Sequence, residues 1–364
     1  MKVSHIETPA VLIDLDVLDR NLKHTAELTR QAGVRLRPHF KTHKSVWIAK
    51  KQLEYGACGM TVAKLGEAEV LTEAGIDDIL IAFPLVGESK LLRLAALINR
   101  KVKVTVSTDN VIVAKGLSDL GESLGTRIPL YIDVNSGLNR CGLEPGNPTA
   151  ELVKEITALP GVEVRGLMTH GGHAYGASNL QELRQTAAVE VEVLVQTQHL
   201  LAQDGITIPE ISVGSTPTSK FIAEQHGATE TRPGAYVYGD ISQLAIGSIS
   251  MNEVAMSILA TVVSTPREGT VIIDAGSKTF SIDTNPHCPG YGRLKNNPDV
   301  YIERLSEEHG IVKLPPGITF SIGERLEFIP NHCCTVSNLH NKLLGVCGDE
   351  VLQDIYVDAR GKIN

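Results

Sequence analysis

Between residue 34 and about residue 232, short apolar runs alternate with longer stretches whose apolar positions recur every three or four residues. The short runs lie at 34–40, 58–62, 78–83, 102–107, 130–134, 162–169, 210–213 and 229–232. Short apolar runs bounded by turn residues predict buried strands, and the amphipathic stretches between them predict helices. Those stretches include 65–74, 88–99, 111–124 and 181–203. Eight strands with intervening helices predict an α/β fold, a closed parallel (β/α)8 barrel; an open doubly wound sheet is the alternative. After Gly239-Asp240 the helical pattern nearly vanishes, and short strand patterns follow at 255–264, 270–274, 313–314, 325–329 and 343–346. The expected division is a barrel over 15–240 and a smaller C-terminal β domain over 241–364. Residues 1–14, with the apolar Ala10-Val11-Leu12-Ile13, are expected to pack on that β domain ahead of a first helix at 17–31.

A barrel delivers the carboxyl ends of its strands to one face, where chemistry collects. Polar residues do gather at those positions. Lys41 ends the first strand, Asp133-Val134-Asn135-Ser136-Gly137 the fifth and Thr169-His170-Gly171-Gly172 the sixth. Val213-Gly214-Ser215-Thr216 ends the seventh and Arg232-Pro233-Gly234 the eighth. Lys41 lies in the cationic run Arg37-Pro38-His39-Phe40-Lys41-Thr42-His43-Lys44. Burial among other cations lowers a lysine pKa enough for covalent chemistry with a carbonyl; a solvated basic loop is the other reading.

Further groups carry chemistry of their own. Gly214, Ser215 and Thr216 form a strand-to-helix turn with small hydroxyls and free amides, and the turn of Gly234 and Ala235 is expected beside it. Such turns suit a phosphate monoester, and they are also common as ordinary loops. Arg140, after the fifth strand, is placed to donate to a phenolate or carboxylate, or to lie on a surface loop. His170 and His173 offer ring stacking or proton transfer, against a structural role. In an extended segment residues two apart share a face, so His332 and Cys334 in Asn331-His332-Cys333-Cys334 could grip one zinc-like ion; a buried cysteine beside a capping histidine competes with that reading. His287-Cys288-Pro289-Gly290 reads as a glycine-rich loop near the site at most.

The bulk numbers narrow the classes. The 364 residues are 42% hydrophobic and 21% charged, enough for a barrel and a second domain. A net charge of −8 argues against a nucleic-acid partner. No apolar run reaches bilayer length and the amino end lacks an apolar signal core, so no membrane partner and a cytoplasmic location are expected. The six cysteines have no paired spacing and read as core thiols or ligands.

As an ordered set, these motifs resemble the D-threonine aldolase and D-serine dehydratase family, whose barrel is shared with bacterial alanine racemases. The resemblance runs from Glu7-Thr8-Pro9-Ala10 through the Lys41 run, Thr61-Val62-Ala63-Lys64, Asn139-Arg140-Cys141-Gly142, Arg232-Pro233-Gly234 and Asp274-Ala275-Gly276-Ser277-Lys278 to His332-Cys333-Cys334. It implies pyridoxal 5'-phosphate held covalently by Lys41. Arg140 would approach the cofactor's phenolic oxygen, with His170 and Tyr175 flanking its ring. Thr216, Gly234 and Ala235 would hold its phosphate, with Gly214 and Ser215 nearby. A divalent metal, zinc or manganese, would sit on His332 and Cys334. The implied partner is a small D-amino acid, and the implied assembly a homodimer. The expected reaction is cleavage of D-threonine to glycine and acetaldehyde, with Lys41 and His173 as catalytic residues. The alternative is a D-serine dehydratase-type reaction releasing a 2-oxo acid and ammonia. A racemase is disfavoured, since Tyr291, Tyr301 and Tyr356 sit in no racemase-like motif. A non-catalytic cofactor-binding protein has little use for the metal pair.

Overall fold

The computed structural model describes all residues, Met1–Asn364. Eight parallel strands form one sheet: β2 (Arg35–Leu36), β3 (Met60–Val62), β4 (Asp78–Ile81), β5 (Lys103–Thr108), β6 (Ile128–Asp133), β7 (Val162–Met168), β8 (Glu210–Val213) and β9 (Glu230–Thr231); β1 (Ala10–Asp14) belongs elsewhere. Their order is β2-β9-β8-β7-β6-β5-β4-β3. The sheet closes where β2 meets β3, through a bridge between His39 and Thr61 and bonds from Cys58 N to Leu36 O and Thr61 N to Pro38 O, both 2.8 Å. The closed barrel therefore stands, and the open sheet does not. β2 is much shorter than the run at 34–40 predicts. Pro38 has no N–H to give a ladder, and from Phe40 the chain turns into a 3-10 helix, Phe40–Thr42.

The first helix, Leu15–Gln31, starts two residues earlier than its apolar pattern predicts. The Asp14 side chain accepts from the amides of Asp16 and Val17, both at 3.0 Å, and so sets the start. Among the helices of nine residues or more, Val46–Glu54 and Asn147–Thr157 lie outside the stretches named from periodicity.

The second sheet has order β11-β14-β13-β12-β15-β10-β1-β16-β17. Its strands are β10 (Met256–Arg267), β11 (Thr270–Ile273), β12 (Gly292–Leu294), β13 (Asn297–Leu305), β14 (Gly310–Lys313), β15 (Arg325–Pro330), β16 (Lys342–Cys347) and β17 (Glu350–Tyr356). β1 lies between β10 and β16, antiparallel to the first and parallel to the second. The pattern at 255–346 does not show β12, β13 or β17. β17 is a sheet edge with Ile355 as its one buried residue, so it has no apolar face to betray it.

The molecule has two main apolar cores. One fills the barrel and its helices; the other joins the second sheet to Leu18 and Leu22 of the first helix and to Tyr236 and Tyr238 after the eighth barrel strand. This second core presses the sheet onto the barrel, and so brings the segment after β15 to the barrel's carboxyl-end face. No helix is long and apolar enough to cross a membrane.

Candidate active site

The structure separates the cations of the Lys41 run. Arg37 points to the amino-terminal end of the barrel, where its Nε donates to Glu230 at 2.7 Å. His43 is fully buried, with Nε2 3.2 Å from Gln52 Oε1. Lys44 Nζ donates to Asn338 Oδ1 at 2.9 Å and lies 3.4 Å from Glu67. Lys41, with His39, lines the cavity at the carboxyl-end face. The turn Phe40–Thr42, held by His39 Nδ1 accepting from Lys41 N at 3.4 Å, carries it there. Burial lowers the Lys41 pKa, and Arg140 and Arg232 push the same way against Cys334 and Glu67. A lysine so placed carries a larger fraction of neutral, nucleophilic amine than one in water.

Two adjoining chambers, of about 320 and 290 Å³, share His39, Lys41, Arg140, His170 and Arg232. The larger is completed by Phe83, Asp133 and Met168, the smaller by Tyr175, Thr216, Gly234, Ala235, His332 and Cys334. The residues come from different strand ends, as the barrel geometry demands. Burial, with help from Lys41 and Arg140, brings His170 down to about 3, and its Nδ1 lies 3.3 Å from Gly214 O. Burial and Lys41 hold His39 far below the ordinary imidazole value. Both rings are therefore neutral. Burial pushes the Asp133 carboxyl up to about 6, against the pull of Arg232.

The two glycine turns meet at Thr216. Its Oγ1 accepts from the amides of Gly234 at 3.1 Å and Tyr236 at 3.2 Å, which leaves the hydroxyl hydrogen for another acceptor. The Tyr175 phenol stands beside it. Ser215 Oγ is 3.0 Å from Thr218 Oγ1. A Cβ at residue 234 would fall 2.6 Å from Thr42 Oγ1, so glycine there lets the turn press against the Lys41 turn. Gly214, at φ +113°, occupies the left-handed region that glycine tolerates. Ala235 opens a 3-10 turn, where an amide has no intrahelical acceptor. Hydroxyl, amides and the nearby cations fit a phosphate monoester.

His332 and Cys334 come together, but not in an extended segment. A helix begins at Cys333, so His332 is its N-cap with extended backbone and Cys334 is its second residue. The helical start arises because Asp240 Oδ2 accepts from Cys333 N at 3.0 Å. Cys333, with His332 and Thr42, holds the Cys334 thiol well below its usual range, as a thiolate. Burial opposes charge on His332, yet Cys334 and Asp283 raise it to about 11, so a metal binding there displaces a proton. Thr42 Oγ1 lies 3.1 Å from Cys334 Sγ, which ties the donor pair to the Lys41 turn. Imidazole and thiolate fit zinc or a neighbouring transition metal, and two protein donors leave coordination positions open.

His173 is not brought to this cavity. Its ring packs toward Gly137, whose Cβ would lie 3.2 Å from His173 Nε2, and His173 Nδ1 is buried without a partner. A 3-10 helix, Gly172–Gly176, turns it away from the chamber that His170 and Tyr175 line. The loop at His287 does reach the site's edge, with Nε2 3.2 Å from Tyr175 O. Sequence reasoning left out Arg232, His39 and Asp133 as cavity residues. Each stood in a motif at a strand end, and that position was the available signal. Asp283, whose Oδ2 is 2.8 Å from His332 Nδ1, lies 49 residues from its partner and carried no signal.

Comparison with known proteins agrees with this architecture. The family model for the alanine racemase N-terminal domain matches residues 13–242, and that for a putative serine dehydratase domain matches 255–346. The chain is 32% identical to D-threo-3-hydroxyaspartate dehydratase of Delftia sp. (strain HT23), over 90% of this chain and 91% of that one. It is 31% identical to D-threonine aldolase of Arthrobacter sp., over 99% and 94%. The crystal structure of D-threonine aldolase from Filomicrobium marinum superposes with a TM-score of 0.92 at 31% identity, covering 100% of this chain and 98% of that one. The chain belongs to the D-threonine aldolase and D-serine dehydratase family, built on the barrel of the alanine racemases.

Proposed function

We propose that this chain is a lyase for D-amino acids with a β-hydroxyl group, and that it cleaves the Cα–Cβ bond, as a D-threonine aldolase does. The contact between Thr42 Oγ1 and Cys334 Sγ carries the reading, because it joins a pKa-lowered lysine and a thiolate–imidazole pair in one chamber. Pyridoxal phosphate, when bound, supplies an electron sink for the bonds at Cα, and a divalent zinc or manganese ion supplies a Lewis acid at the β-oxygen.

The chain's own residues divide the remaining work. Lys41 would hold the cofactor covalently when it is bound, and its free amine would be placed to hold a proton near Cα. Thr216, Gly234 and Ala235 hold the phosphate. Arg140 donates to an anionic oxygen at the cavity mouth, and Tyr175 and His170 wall the ring. His332 and Cys334 hold the metal. The Asp133 carboxyl, raised to about 6, and the neutral imidazoles of His39 and His170 are cavity groups able to take the hydroxyl proton, in place of His173. Breaking Cα–Cβ then yields an aldehyde and, after protonation at Cα, glycine.

The Delftia relative supports a second reading, with the same parts acting as a dehydratase. There Lys41 would take the Cα proton, the hydroxyl would leave as water, and the resulting enamine, after tautomerising to an imine, would be hydrolysed by water to a 2-oxo acid and ammonia. The test supplies D-threonine and D-serine to purified protein with pyridoxal phosphate and zinc or manganese. Acetaldehyde and glycine from D-threonine support the aldolase. Pyruvate and ammonia from D-serine support the dehydratase. No product from either substrate rejects both.

A further inference from the structure

We propose that Asp283 is a positioning residue for the His332–Cys334 pair, locking the imidazole so that Nε2 is the nitrogen offered to a metal. The inference rests on the reading of that pair as a metal site. Asp283 Oδ2 lies 2.8 Å from His332 Nδ1. An ionised carboxylate only accepts, so Nδ1 keeps its hydrogen and Nε2 is the nitrogen left to give up its proton to a metal.

Asp283 is itself held at both its carboxylate and its backbone. Thr335 Oγ1 is 2.8 Å from the same Oδ2. Asn331 Nδ2 donates to the Asp283 carbonyl at 3.0 Å, and Asp283 N donates to Ser281 Oγ at 3.2 Å. Asn331, His332 and Thr335 belong to one segment, so the loop that orients the histidine is strapped to the stretch on which the histidine sits. Ser281, a non-glycine residue at φ +65°, turns the chain into that loop. Farther along, His287 Nε2 meets the carbonyl of Tyr175 at 3.2 Å, so the same loop touches both the metal pair and the aromatic wall of the cavity. The other nearby carboxylate, Asp240, is committed to the amides of Cys333 and Gln243. That leaves Asp283 as the hydrogen-bonded partner of His332. An acidic acceptor behind a ligating imidazole fixes its tautomer and raises its donor strength.

The measurement is zinc affinity of chelator-stripped protein, by competition with a chromophoric chelator, in wild type, Asp283→Ala, Asp283→Asn and Thr335→Val. Asp283→Ala should weaken zinc binding by about 10- to 100-fold. Asp283→Asn, whose amide oxygen can still accept from Nδ1, should recover part of that loss. Thr335→Val, which keeps the carboxylate and removes its support, should show a smaller loss in the same direction. Cofactor absorbance after adding pyridoxal phosphate should match wild type in all three, reporting an intact barrel site. Equal zinc affinity across the four proteins overturns the role of Asp283 alone. A wild-type protein that binds no zinc or manganese overturns the metal pair, and Asp283's role with it.

Discussion

At the amino-terminal end of the barrel, Arg37 is 2.7 Å from Glu230 and also meets Asp78, while Arg35 pairs with Glu210. At the carboxyl end, Lys41 and Arg140 face the cavity with no ion-pair partner, beside two imidazoles kept neutral. Both ends are rich in cations, and both have strand termini to display them. One end matches each buried charge with a carboxylate from a neighbouring strand. The other leaves its positive groups without an ion-pair partner and so available to an anionic ligand. The difference teaches that pairing, more than residue type, separates structural charge from charge available for binding and chemistry.

The largest effect should come from the unmatched end. Lys41→Ala should cut turnover by about 10⁴-fold or more, roughly 5.5 kcal/mol of barrier. It should also remove the cofactor's covalent attachment, read by borohydride trapping and mass spectrometry. A trapped adduct surviving in the variant would place the anchor elsewhere.

Next comes the matched end. Arg37→Met leaves the fully buried Glu230 without its close partner, and should cost about 3–5 kcal/mol in denaturant unfolding. The folded fraction should keep its kcat/KM. Adding Glu230→Gln should recover part of the stability, because no buried charge is then stranded. If Arg37→Met instead lowers activity without lowering stability, the two ends are not functionally distinct.

Arg140→Met sharpens the contrast from the cavity side. Arg140 is exposed and unpaired, so its loss should leave the thermal midpoint unchanged. Its expected cost is about 10- to 100-fold in kcat/KM, or roughly 1.4–2.8 kcal/mol.

The smallest effect per step is a pH slope, graded over several pH units. Burial holds His43 at about 4 and His170 at about 3, both below the ordinary 6.5. The unfolded chain therefore takes up protons first. Stability is fully present above pH 6.5 and is lost as pH falls through those folded-state values. Each group adds about 1.4 kcal/mol per pH unit at most within its window. Urea unfolding at pH 7, 6, 5 and 4 should show the decline, and His43→Gln should make it shallower. An unchanged slope in that variant would assign the acid sensitivity to other groups.

What could be read without coordinates follows from range. Strand β8 matched its apolar run residue for residue, and the helix Glu88–Asn99 did likewise, because burial and periodicity are local. β2 shrank to two residues because Pro38 withholds an N–H, a fact visible in the sequence but outweighed there by the apolar run. β17 was invisible because an edge strand needs no apolar face. Lys41, Arg140, Thr216 and Gly234 were legible because a barrel converts strand-end position into shared location. His173, three residues from His170, had the same credentials and was turned aside by a five-residue 3-10 helix that no pattern predicted.

The amino-acid sequence by itself determined the alternation of strand and helix, the strand ends on which polar groups stand, and the change to β structure after residue 240. Those properties depend on neighbours a few residues away. Only the tertiary structure decided that Cys334 would touch the Lys41 turn, that Asp283 would back His332, and that Arg37 would be matched while Arg140 would not. Such contacts link residues tens to hundreds of positions apart. Their existence depends on how the two cores pack together, which local periodicity does not encode.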